Sequence, residues 1–201
     1  STMFDLASNT KMFATNFALQ KLVTEGKIKV DDLVTKYIPD FSDAASDPIK
    51  GKENIKIRDL LNHCAGFTPD PQYFNPVVAK DLFSQDRETT LKMLAKTPLV
   101  YKTGSKVLYS DVDYMLLGYI IEKITGVTED KYVSENIYKP LGLNKTTYNP
   151  LKNGFSKEDA AATELNGNTR DGVISFPNVR TNTLQGEVHD EKAYYSMGGV
   201  S

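Results

Sequence analysis

Residues 12–23 place eight apolar side chains in twelve positions: Met12, Phe13, Ala14, Phe17, Ala18, Leu19, Leu22 and Val23. They do not gather on one narrow stripe, and a helix that is apolar nearly all round is buried nearly all round. Gly26 is placed to stop it, so the pattern predicts a buried helix over residues 8–25. The clearest helical period lies in "DVDYMLLGYIIEKITG". There Leu116, Leu117, Ile120, Ile121 and Ile124 recur at helical spacing, and Gly126 follows the last turn. Shorter helices are predicted in "VDDLVTKYIPDF" up to Pro39, in "IKIRDLLNHCAGF" closed at Gly66, over residues 87–96, and in "EDKYVSENIYKPLGL", broken at Pro140. "SDAASDPIKGKEN" reads as a polar loop and "PDPQYFNP" as an irregular one. From Asn149 onward Asn, Gly, Thr and Pro accumulate, with short β-prone runs such as "GVISF". Almost no strand is expected before residue 150, and no internal repeat is present.

A chain of 201 residues has room for one ordinary domain with a sizeable core. Its net charge of -2, with Lys and Arg spread along the chain, gives no electrostatic case for nucleic acid. The longest apolar run, residues 115–121, is far too short to span a bilayer. The first residue is Ser rather than Met, from which a processed or truncated N-terminus is expected, with any targeting signal removed. The single cysteine, Cys64, excludes an internal disulfide and is expected to be a small buried side chain.

Two short motifs could carry chemistry. Ser8 and Lys11 form S-x-x-K, "SNTK", at the head of the first helix. Residues three apart share a helix face, and a serine in the first turn feels the positive end of the helix dipole, which favours a developing alkoxide. A lysine on a buried helix is desolvated, so its neutral amine can take a proton. The plain alternative is an N-cap serine and a solvated lysine, and S-x-x-K is common by chance. The second motif is Tyr109, Ser110 and Asp111, just ahead of the best helix. Either Ser or Asp caps that helix and Tyr109 packs, or Tyr109 stands beside a lysine and shuttles a proton.

These two motifs, in this order, resemble the serine β-lactamase and penicillin-binding protein superfamily. The likeness is to its class C side, whose motifs run S-x-x-K, Y-x-N and then K-T-G or H-x-G. "FDLASNTK", "IKIRDLLNHCAGF", "YSDVDYMLLGYIIEKITG", "IYKPLGL" and "EVHDEKAYYSMGGVS" look like blocks of that family in family order. The stretch from "ATELNGNTRDG" to the end looks most like the penicillin-binding protein 4B branch of D-alanyl-D-alanine carboxypeptidases. The resemblance implies an α+β fold of the β-lactamase/transpeptidase type. Residues 1–201 would be a partial domain, mostly the helical part, with the N-terminal and C-terminal strands of the antiparallel sheet absent. Ser8 would be the acylated nucleophile, Lys11 its base partner and Tyr109 the proton relay to the leaving group. The N–H of Ser8 would supply half of an oxyanion hole.

The implied function is serine-type acyl transfer from D-Ala-D-Ala peptides of the cell wall, with β-lactams reacting at the same serine. No metal or cofactor is implied, no nucleic acid and no membrane segment in this chain. The implied location is periplasmic or extracytoplasmic, with any anchor in a segment outside this chain. A related esterase or weak β-lactamase is one rival, and a non-catalytic penicillin-binding sensor or scaffold is another. Two positions depart from the pattern. Asp111 stands where Asn is usual, and a carboxylate near Lys11 favours the ammonium and shifts proton handling toward Tyr109. The one K-T-G, Lys102–Gly104, lies ahead of Tyr109 and so out of family order, and neither K-T-G nor H-x-G follows Tyr109 in the 201 residues. The chain alone is therefore expected to be inert, with apolar helix faces uncovered.

Other candidates read as structural. "TELN" at residues 163–166 recapitulates part of a class A β-lactamase loop, but Ala162 stands where its general base would be. His63, in the last turn of a helix, is expected to bind C-terminal carbonyls. His189 with Asp190 and Glu191 lacks the H-E-x-x-H spacing of a metal site. No G-x-S-x-G exists to host a Ser-His-Asp nucleophile.

Overall fold

A computed structural model describes residues 1–196. The closing MGGVS of the last family-like block lies outside them. Residues 7–24 wind as one rod in three parts: a 3-10 turn at Ala7–Asn9, a π-helical turn at Lys11–Asn16 and helix α1 at Phe17–Thr24. The extent agrees with the hydrophobic pattern, but the burial corrects it. Ala14, Ala18, Leu19 and Leu22 are buried, whereas Met12, Phe13, Phe17 and Val23 are exposed. The rod is covered on one side only, by the helices at Asp111–Thr125 and Glu129–Val133. The outward rings of Phe13 and Phe17 lie against each other, centroids 6.2 Å apart.

The element buried all round is another one. Helices α2 (Ile57–Leu61), α3 (Pro76–Ala79) and α4 (Arg87–Lys96) lead to α5 (Asp111–Thr125), in which every residue of 111–121 is buried. The Ser110 hydroxyl accepts the Val112 N–H at 3.2 Å to cap α5, and Gly126 ends it at φ +74. Packing against α2, α4, α6 (Glu129–Val133) and the π turn makes α5 the axis of the core. A second π turn, Ser134–Tyr138, continues α6 toward Pro140.

Three local expectations fail for identifiable reasons. "VDDLVTKYIPDF" forms only a 3-10 turn, Val34–Lys36. The Asp32 carboxylate there accepts the Lys29 N–H, the Tyr37 hydroxyl and the Lys36 ammonium, so a side chain takes the place of helical bonds. Helix α2 stops well before Gly66, because His63 turns the chain at φ +54. Gly66 serves instead for close approach: a Cβ there would meet the Tyr101 carbonyl oxygen at 2.4 Å. "GVISF" is not a strand, since Arg170, Asp171 and Gly172 all take positive φ and coil its start into a turn. The strands are β1 (Ala162–Glu164) and β2 (Leu184–Gln185), antiparallel, with Ala162 opposite Gln185. Among the described residues the fold is therefore α+β with one small antiparallel pair, closed by α7 (Glu191–Ser196).

Candidate active site

The turn that carries Ser8 is strained and clamped. Ala7 holds φ +46, a conformation a residue with a Cβ rarely adopts. Asp5 fixes it with both oxygens: Oδ1 accepts the Ala7 N–H at 2.8 Å and Oδ2 accepts the His189 N–H at 2.9 Å. Ser8 is exposed, while Lys11, three residues further at the start of the π turn, is 1% exposed. The Lys11 ammonium donates to Ser8 Oγ at 2.9 Å and to Asp111 Oδ1 at 2.9 Å. A π turn inside a helix is rare and tends to mark functional positions.

The second motif reaches the same lysine from α5. The Ser110 hydroxyl donates to the Thr68 carbonyl at 2.6 Å, and the Asp111 N–H donates to the Pro69 carbonyl at 3.0 Å. Ser110 is thus the cap, and Asp111 is left to face Lys11. The Lys11 Nζ lies 4.8 Å from the ring centroid of Tyr109 and 5.9 Å from that of Tyr114, within cation–π range. Tyr109 is 47% exposed, and its hydroxyl has no hydrogen-bond partner among the described residues. All four candidates, Ser8, Lys11, Tyr109 and Asp111, therefore converge on one ammonium.

His63 is not the carbonyl binder that its position suggests. Its Nδ1 donates to Asp113 Oδ2 at 2.8 Å and lies 3.2 Å from the backbone nitrogen of Ser110. Its ring packs on Tyr109 and Tyr114, with centroids 4.7 and 5.2 Å away. Burial pushes the Asp113 carboxyl up to about 6, against the opposing pull of His63. The pair sits behind the Tyr109–Asp111 loop and holds its backbone.

A second lysine shares Asp111, and no motif pointed to it. Lys192, in the first turn of α7, is 8% exposed. Its ammonium meets Asp70 Oδ1 at 2.8 Å, Asp111 Oδ2 at 3.3 Å and Asp190 Oδ2 at 3.4 Å. Burial works against that charge, but Asp190, Asp70 and Asp111 outweigh it and raise Lys192 well above the ordinary lysine range. One sequence signal existed: a lysine in a first helical turn opposes the helix dipole and needs carboxylates to hold it.

The remaining candidates separate from this centre. His189 Nε2 contacts Glu164 Oε1 at 3.1 Å, and no group of His, Cys, Asp and Glu among the described residues is arranged to hold a metal ion. Cys64 is half-buried rather than buried. A cavity of about 290 Å³ is lined by Met3, Phe4, Leu6, Thr10, Tyr138 and Tyr148, but by neither Ser8 nor Lys11. The cavity lies apart from the point where the Ser8 hydroxyl, the Lys11 ammonium and the Asp111 carboxylate meet.

Comparison with known proteins agrees with this architecture. A family model described as Beta-lactamase matches residues 1–200. A relative from Salmonella agona (strain SL483), named "Putative D-alanyl-D-alanine carboxypeptidase", is 67% identical over all 201 residues, which cover 46% of that relative. The chain thus spans about half the length of the curated relatives it matches. The octameric penicillin-binding protein homologue from Pyrococcus abyssi superposes with a TM-score of 0.64 at 26% identity, over 92% of this chain and 39% of that one. A D-stereospecific amidohydrolase from Streptomyces sp. superposes at 0.65, over 95% and 58%, and at 23% identity speaks for the fold alone.

Proposed function

This chain belongs to the beta-lactamase family, and from that premise we propose that it carries the nucleophile and proton-transfer groups of a serine hydrolase acting on D-Ala-D-Ala peptides. The observation that carries the reading is the 2.9 Å contact between Ser8 Oγ and a buried Lys11. In the productive state Lys11 is neutral and accepts the hydroxyl proton as Ser8 Oγ bonds to the carbonyl carbon of the penultimate D-Ala. The carbonyl electron pair moves to oxygen, and the N–H of Ser8 is one donor to that oxyanion. As the C–N bond breaks, Tyr109 passes a proton to the departing D-Ala amine and is itself reprotonated from Lys11. Water then hydrolyses the acyl-serine. Its half-exposed ring beside Lys11 supports that role for Tyr109. Such a substrate puts the working protein outside the cytoplasmic membrane. Among the described residues no helix is long and apolar enough to cross one.

Intact-mass spectrometry of the full-length protein with a β-lactam tests the assignment. One adduct is expected in the natural protein and none in Ser8→Ala; an adduct that survives the substitution overturns it. Release of D-Ala from a D-Ala-D-Ala peptide beyond one equivalent separates a hydrolase from a sensor that is only acylated.

A further inference from the structure

We propose that Lys192 is a positioning residue of this site, the standing counter-ion of Asp111 that frees Lys11 to exchange its proton with Ser8. The proposal rests on the acyl-transfer reading of Ser8 and Lys11 and adds a residue that the motifs do not contain.

The geometry makes Asp111 a shared carboxylate. Oδ1 faces Lys11 at 2.9 Å and Oδ2 faces Lys192 at 3.3 Å. Were Lys11 its only partner, each deprotonation of Lys11 would strand a carboxylate with 13% side-chain exposure. An unpaired buried charge is among the most costly arrangements in a protein, so the proton would stay on Lys11. Lys192 removes that obstacle, because it remains beside Asp111 whichever state Lys11 is in. It also opposes a second positive charge nearby. Asp70 and Asp190 in turn hold Lys192 charged, so that it is not itself the group that loses a proton.

The backbone around Lys192 is tied to the nucleophile as well. The Asp190 carboxylate accepts the Lys192 N–H at 2.7 Å and caps α7. The preceding residue, His189, gives its N–H to Asp5, the same carboxylate that clamps Ala7. The contacts thus close a ring from Ser8 through Lys11, Asp111, Lys192, residues 189–190 and Asp5 back to the turn at Ala7. The groups facing Lys11 are Ser8 on its own rod, Tyr109, Asp111 and Tyr114 from the α5 side, and Lys192 through Asp111. Beyond these, Asp113 with His63 lies behind the loop, and Glu129 of α6 reaches the rod through Thr15.

The test is the pH profile of acylation of the full-length protein by a fluorescent penicillin, for the natural protein, Lys192→Met, Lys192→Arg and Ser8→Ala. Lys192→Met is expected to move the acid limb upward by about one pH unit, a roughly tenfold loss on that limb, with the alkaline plateau retained. Lys192→Arg, which keeps the charge, is expected to keep the limb in place. Melting curves confirm that both variants fold. A Lys192→Met limb that stays where it is, or a loss equal at every pH, overturns the proposal. If Lys192→Met is too unstable to assay, Lys192→Gln takes its place, and a limb that Lys192→Gln leaves unmoved overturns the proposal equally. Label that persists in Ser8→Ala would overturn the acyl-transfer reading instead, whatever Lys192 does.

Discussion

His63 Nδ1 donates to Asp113 Oδ2 at 2.8 Å, and the same nitrogen lies 3.2 Å from the backbone nitrogen of Ser110. The contact joins the end of α2 to the start of α5 and fixes the segment from which Tyr109 and Asp111 project. Asp113 is 1% exposed and its other oxygen is unpaired, so His63 is what makes its charge tolerable.

His63→Leu is therefore expected to destabilise the protein by about 2–3 kcal/mol near neutral pH and by less at pH 5. The folded Asp113 titrates at about 6, above its ordinary 3.8. Its favourable contribution is thus complete at low pH and is lost as pH rises through 6. Removing His63 enlarges that loss, so the gap in melting temperature from the natural protein should widen between pH 5 and 7.5. A gap of constant size would mean that Asp113 does not sense His63.

Asp111→Asn is expected to move the acid limb of acylation to lower pH, the opposite of Lys192→Met. The substitution keeps the side-chain shape but withdraws the carboxylate that faces the Lys11 ammonium. Penicillin labelling between pH 5 and 9 measures it, and an unmoved limb would show that Lys11 works independently of Asp111.

Much of this was legible in the chain. Helix α4 begins and ends at the predicted residues because Asp86 caps its start, its Oδ1 accepting the Thr89 N–H at 2.8 Å. Helix α5 stands out because apolar spacing and a terminal Gly126 say the same thing. Ser8, Lys11, Tyr109 and Asp111 were visible because each motif is local. Burial was not legible in the same way. Met12, Phe13 and Phe17 are apolar yet exposed, because a side chain's exposure depends on what packs beside it. Lys192, Asp70 and Asp5 escaped for a related reason: each acts on a partner far along the chain, and no short spacing announces such a pair.

Glu129 gives a stability prediction remote from the chemistry. Its carboxylate accepts the Thr15 hydroxyl at 2.6 Å and the Tyr148 hydroxyl at 3.3 Å. Burial pushes it up to about 7, so its contribution to stability is present below pH 4.5 and lost as pH rises through 7. Glu129→Gln does not titrate, and it should gain on the natural protein across that window by up to about 3 kcal/mol. Melting curves at pH 5 and pH 8 decide it; no change in the difference would mean that Glu129 keeps one protonation state in the fold.

Gly167 links backbone packing to the site. It holds φ +60, and a Cβ added there would lie 1.8 Å from the Arg180 carbonyl oxygen and 2.3 Å from its carbon. Neither atom belongs to a flexible side chain, so the backbone at Arg180 must move. Arg180 in turn donates from Nε and Nη2 to Glu191 Oε1 at 3.0 and 2.8 Å, and its guanidinium lies 4.0 Å from the Tyr194 ring centroid. Glu191 opens α7, and the next residue is Lys192. Gly167→Ala is therefore expected to lower stability by about 2–4 kcal/mol and to shift the acid limb of acylation in the direction of Lys192→Met. Gly172→Ala is the matched control, because Gly172 also has positive φ, +85, but has no atom within 4 Å of an added Cβ. It should cost only about 1 kcal/mol and leave the limb in place. Equal losses from the two substitutions would show that conformational strain, not the approach of Gly167 to Arg180, is what the first one measures.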